Sequence, residues 1–250
     1  MRTPAFAVCG LLLLAALASG AAAQPSDAER LALASDVLMS FTQDEENGIP
    51  VQLLQEARGI AIVPNLIRGG FIFGARRGRG VLVIRTEDGR WSNPAFITVT
   101  GGSVGAQFGV ESADLVLVFV NERSIRNIED GRFTLGGEAT AVAGPLGKRS
   151  AAVVTARSEV YAYVRSRGLF AGAAFEGARL DVDEEAGDRF YSGSALPLHV
   201  PTESTPQSAR RFLAMLDSAA RPAAGPGGAA TPGRTDESQE AIIYPLENAR

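Results

Sequence analysis

Apolar positions recur at helical spacing over residues 26–46, where Leu31, Ala34, Leu38 and Phe41 form a stripe that Leu33 and Val37 widen. Ser26 and Glu29 stand at capping-box spacing, and Gly48 and Pro50 end the run. A short second helix is expected over 51–57. From Gly59 to Gly193 the pattern changes to short β-rich runs punctuated by glycine. It predicts strands near 60–63, 70–76, 80–86, 95–100, 104–110, 114–120, 138–143, 151–157, 159–165, 169–175 and 188–192. The 114–120 run is apolar at every second position on both registers, as in a strand covered on each face. Val160, Ala162 and Val164 alternate with Tyr161, Tyr163 and Arg165, as in a half-exposed one. Residues 121–128 read equally as a short helix or an irregular crossover. A last helix is expected over 204–218, with Ala209, Phe212, Leu213 and Leu216 on one face.

The expected fold is therefore α+β: a Gly-rich, mostly antiparallel curved β-sheet or barrel-like core with an N-terminal amphipathic helix and a C-terminal helix. One domain, 24–218, holds these elements. Before it, Arg2, the apolar run 5–18 and Ala21-Ala22-Ala23 have the form of a signal peptide over 1–23. Cys9 lies at the start of that run, not after it, so it does not fit a lipoprotein cysteine. After the domain, residues 219–250 lose all periodicity and are expected to be a disordered Pro/Gly-rich tail. Cleavage after residue 23 implies an exported, periplasmic protein, and it removes the chain's one cysteine. His199 is then the one imidazole, so a Cys/His zinc site is excluded, and no metal or cofactor is expected.

Charge narrows the function further. Acidic residues outnumber basic ones 28 to 24, for a net charge of −4, which argues against a nucleic-acid partner. Any anion site must be local, and 66–85 is the place for it: it holds Arg68, Arg76, Arg77, Arg79 and Arg85 and no acid. Glycines interleaved with these arginines let backbone N–H groups approach a ligand. Arg76, Arg77 and Arg79 are close enough along the chain to grip a phosphate. At ~1 kcal/mol each near an anionic surface, three would give peripheral, salt-reversible binding. The competing reading is a solvated hairpin turn with its arginines facing water.

Gly101-Gly102-Ser103-Val104-Gly105 matches the G-x-S-x-G pattern of a hydrolase elbow, and Asp181 or Asp183 and His199 follow in a workable order. The elbow must open a helix, whereas 106–110 is Gly-broken and β-like, so an enzyme is not expected and no catalytic residue is assigned. The acids Asp181, Asp183, Glu184 and Glu185 read as a solvated hairpin tip. Trp91, in a Trp-Ser-Asn-Pro turn, reads as a core plug or an interfacial anchor.

Taken together, Gly59-Ile-Ala-Ile-Val-Pro64, Gly69-Gly-Phe-Ile-Phe-Gly74, Trp91-Ser-Asn-Pro-Ala-Phe96, 101–109, Ala143-Gly-Pro145, Gly168-Leu-Phe-Ala-Gly172, Glu176-Gly177 and Phe190-Tyr191 resemble the SYLF domain. The resemblance covers about 28–217 in consistent order. It implies a domain that binds membrane lipids, notably phosphoinositides in eukaryotic members, some of which also bind and bundle actin at endocytic sites. Two departures limit what transfers. Some eukaryotic members carry a basic amphipathic helix ahead of the domain, whereas the first helix here is acidic, with Arg30 its one base against six acids. Export would also separate the chain from actin and from cytosolic phosphoinositides.

The expected function is thus an exported, non-enzymatic protein bound peripherally to anionic phospholipid headgroups of the envelope. Arg68, Phe71, Phe73, Arg76, Arg77 and Arg79 are the candidate lipid contacts. An envelope structural or protein-interaction module is the alternative, and a hydrolase using Ser103 the minor one.

Overall fold

The first helix, α1, spans Asp27–Gln43 and is set by its N-terminus: the Ser26 hydroxyl accepts from the Glu29 N–H while the Glu29 carboxylate accepts from the Ser26 N–H. Its stripe of Leu31, Ala34, Val37, Leu38 and Phe41 is buried. In this computed structural model the described residues are 25–70, 73–104, 109–129, 134, 141–143, 160–167, 178–193 and 203–221. The expected signal peptide, the strands over 151–157 and 169–175, His199 and residues 222–250 of the expected tail lie outside them.

After α2 (Val51–Glu56) the chain enters β1 (Gly59–Gly70), β2 (Phe73–Ile84), β3 (Ala95–Val104) and β4 (Gly109–Phe119). Then come α3 (Glu122–Glu129), β5 (Ala141–Ala143), β6 (Val160–Arg167), β7 (Arg179–Val182), α4 (Glu184–Tyr191) and α5 (Gln207–Ala219). The strands form one sheet of order β5-β6-β4-β1-β2-β3-β7. Its pairings are antiparallel except β5 with β6. This is the expected α+β fold with an open, curved, mostly antiparallel sheet and a helix at either end.

Both faces of the sheet's centre are buried. On one, Ile60, Ile62, Val81, Val83, Phe96, Val116 and Val118 meet α1, α2 and α5, with Phe212 and Leu216 of α5 reaching in. On the other, Ala61, Val63, Leu82, Ile97, Val99, Leu115 and Leu117 pack with Ile125 and Ile128 of α3. Each fully buried Leu, Ile or Phe here contributes roughly 1.5–3 kcal/mol. The double covering explains why the central strand reads as unbroken apolar sequence, as expected for 114–120: Leu115 to Phe119 are each fully buried.

A bulge bends β1. Its register against β4 shifts between Val63 and Leu66, and Asn65 there takes a left-handed φ of 48° with its N–H donated to Asp114 Oδ1 at 2.9 Å. On β2 the opposing residues are glycines for a steric reason. A Cβ on Gly80 would come within 2.1 Å of the Ile62 carbonyl oxygen, and one on Gly78 within 2.6 Å of Val63 and Leu66 side-chain carbons.

Several expectations are corrected. Residues 70–76 are not a strand of their own, since β1 runs from Gly59 through to Gly70, which pairs with Gly74, and 73–76 open β2, which continues to Ile84. Arg76, Arg77 and Arg79 therefore stand within β2 and not in a turn. Residues 188–192 are not a strand but close α4, because Asp183 caps that helix by accepting from the Ala186 N–H at 3.2 Å. The acids 181–185 are accordingly a strand end and a helix start, not a hairpin tip. β6 is not half-exposed at its start: Tyr161 and Tyr163 are buried, Tyr163 edge-on to Phe41 of α1. Residues 122–129 are a helix, and Trp91 is a core plug at 4% exposure with Arg85 stacked 4.1 Å from its ring centroid.

Candidate functional site

Strand alternation sorts the arginines. Arg77 and Arg79 share a side of β2 with Val81 and Val83, the helix-bearing face. Arg76 shares the other side with Leu82, and its partner across the ladder, Arg68, goes with it. The four guanidinium groups expected in one patch thus divide between two faces.

Arg76 is buried at 7% exposure and donates from Nη2 to the Gly102 carbonyl at 2.9 Å. Burial, and then the charge of Arg68, push its pKa below the usual arginine value. Arg85 is spent locally, donating to the carbonyls of Ala57 and Gly89 at 3.0 and 2.8 Å. Phe73 opens β2 next to the Gly70–Gly74 pair, while Phe71 and the side chain of Phe73 lie outside the described residues.

On the helix-bearing face, Arg77 and Arg79 line a cavity of about 690 Å³ between the start of α1 and the bulged part of the β1–β2 pair. Pro25 and Leu33 form the helix side; Pro64, Asn65, Ile67, Ala75, Arg76 and Gly78 form the strand side. The deepest cation is Arg30 of α1, at 3% exposure. Its Nη2 donates to Asp183 Oδ2 at 3.0 Å, its Nε is 3.8 Å from Asp27 Oδ1, and its guanidinium carbon lies 5.5 Å from the centroid of the Phe96 ring. Among the described residues, Nε and Nη1 have no hydrogen-bond acceptor.

Asp183 holds this end of the groove together. It caps α4, pairs with Arg30, and its own N–H donates to the Phe96 carbonyl at 2.8 Å. Burial alone would raise its pKa. The hydrogen bonds from Arg30 and the Ala186 N–H and the charges of Arg30 and Arg79 outweigh that and hold it below the ordinary carboxylate value.

Neither Arg30 nor Asp183 was a candidate from sequence for this role. Arg30 counts there as the lone base on an outward acidic face, yet it lies four residues before Ala34 and seven before Val37, which places it on the buried stripe. Ser103 lies within β3 opposite Gly74, and the next described element is again a strand, β4 from Gly109, not the helix that a nucleophile elbow opens.

Residues 100–219 match the model of the family described as Ysc84, Las17-binding protein actin regulator. The chain is 35% identical over 199 residues to Protein YSC84 of Saccharomyces cerevisiae, covering 75% of this chain and 42% of that one. It is 36% identical over 185 residues to SH3 domain-containing YSC84-like protein 1 of Homo sapiens, covering 71% of this chain and 54% of that one. LAS seventeen-binding protein 3 of Saccharomyces cerevisiae is 35% identical over 168 residues, covering 63% of this chain and 36% of that protein. The chain thus spans about half, or less, of the length of these relatives. No solved structure matches it.

Proposed function

The chain carries a domain of the Ysc84/SYLF family, and from that premise we propose that it is an exported, non-enzymatic lipid-binding protein that associates peripherally with anionic phospholipid headgroups of the cell envelope. The observation that carries this reading is the placement of Arg77 and Arg79 beside Ile67, which is 52% exposed, on one face of the bent β1–β2 pair. Cations next to an exposed aliphatic side chain fit a surface that is negative at its headgroups and apolar just beneath them. Arg68, on the opposite face, and Arg76, which borders the cavity but is buried and donates to the Gly102 carbonyl, are set aside from the contact, and Phe71 and Phe73 stay as its apolar candidates.

Co-sedimentation with phosphatidylglycerol or cardiolipin vesicles tests the reading. The full chain is expected to pellet at low salt and to be released at high salt. At about 1 kcal/mol per charge, Arg77→Glu with Arg79→Glu should weaken binding by roughly thirty-fold or more, whereas Arg68→Glu should leave it unchanged. A chain that never pellets, or that pellets equally in both variants, removes the proposal. The periplasmic location belongs to the same proposal, and cell fractionation tests it.

A second reading has its own support. The matched family is described as Las17-binding, and the yeast relative LAS seventeen-binding protein 3 carries the same words in its name, so a protein-interaction module is the alternative. Capture of an envelope protein by detergent-washed, lipid-depleted chain, together with failure on vesicles, would favour it.

A further inference from the structure

We infer that the groove between α1 and the bulged β1–β2 pair is a built site for one monomeric anionic amphiphile, its phosphate or phosphodiester head on Arg30 and its chain along Leu33 and Ile67. The inference deepens the lipid-binding proposal and rests on it: it places a single molecule inside the protein, where that proposal has the protein lying on a surface.

Arg30 is the first ground. It is 3% exposed, it lines the groove, and Nε and Nη1 together carry three N–H donors that no acceptor among the described residues meets. A guanidinium withdrawn from water in this way is costly unless an acceptor arrives. Asp183 takes Nη2 alone, and Asp27, at 3.8 Å from Nε, is itself engaged by Arg189 at 3.3 Å. Arg77 and Arg79 line the same cavity, so Arg30, Arg77 and Arg79 together outnumber these two carboxylates. An anion entering there completes the set.

The apolar wall is the second ground and is independent of the first. Among the described residues, the exposed large hydrophobic side chains are Leu33, Met39 and Ile67, and two of those three, Leu33 and Ile67, line this groove. Pro25 and Pro64 extend the wall without adding a polar side chain. About 690 Å³ is within the range of sites that enclose small organic ligands and far exceeds what a bare phosphate fills. A buried cation at one end and aliphatic side chains along the rest select a molecule with a charged head and a hydrocarbon chain.

Isothermal titration calorimetry of the full chain with lysophosphatidylglycerol below its micellar concentration tests this, with inorganic phosphate as the head-only arm and phosphatidylglycerol vesicles run alongside. The expected result is saturable binding of one lysophosphatidylglycerol per chain, with phosphate at least tenfold weaker. Arg30→Gln is expected to weaken it at least tenfold. Because that change also breaks the pair with Asp183, Leu33→Glu provides the second variant: it alters an exposed side chain, breaks no ion pair, and is expected to lose binding to the same degree. Absence of binding, an unchanged affinity in folded Leu33→Glu, or phosphate binding as tightly as the lysolipid overturns the inference. Vesicles that pellet while the lysolipid does not bind retire the groove and leave the peripheral proposal standing. Lysolipid binding without pelleting does the reverse.

Discussion

At the scale of single residues, the Arg30–Asp183 pair carries the clearest expectation. Asp183 satisfies a helix N-terminus and the most buried guanidinium in the groove at once. Asp183→Ala strands both and is expected to cost about 3 kcal/mol in urea unfolding, with Asp183→Asn recovering about 1 kcal/mol because its amide oxygen can still accept from Ala186. Since the Asp183 carboxyl titrates below the ordinary carboxylate value in the folded chain, its contribution is complete above that value and is lost as pH falls through the depressed one. Unfolding midpoints measured from neutral pH into acid should therefore fall more steeply for the parent chain than for Asp183→Asn. The pair was half legible in sequence. The i+4 and i+7 arithmetic places Arg30 under the helix, but nothing local points to a partner more than a hundred and fifty positions away.

At the scale of elements, the bend in β1 depends on what β2 lacks. Gly80→Ala drives a methyl group into the Ile62 carbonyl and should cost about 2 kcal/mol or more in thermal unfolding. Gly89→Ala, at φ 79° with nothing within 4 Å, meets backbone strain alone and should cost about 1 kcal/mol. The same glycines misled the sequence reading. Arg-Arg-Gly-Arg-Gly looks like a turn because glycine commonly bends a chain, whereas here it keeps the strand straight enough to lie under a neighbouring bulge. The 188–192 segment erred differently, since Phe190 and Tyr191 have β-like character while the signal that decides the matter, Asp183 followed by two acids, sits a turn earlier.

Over the whole molecule, the class and the covered central strand could be read from periodicity, but the strand order could not, because β1 pairs with β4 across a separation of about fifty residues. That order puts β1 and β4 at the middle of the described sheet and β7 at an edge. Amide hydrogen exchange should accordingly be slowest over 60–63 and 115–119 and at least a hundredfold faster over 179–182. Uniform protection across the sheet would contradict this order. The packing of α5 on α1 has one more consequence. A chain delivered from its N-terminus, whether by a ribosome or through a narrow membrane conduit, has α1 and four strands available long before Phe212 and Leu216 emerge to seal them. The unsealed intermediate would keep its oily flank open, so a holding chaperone has its longest opportunity on this protein before α5 emerges.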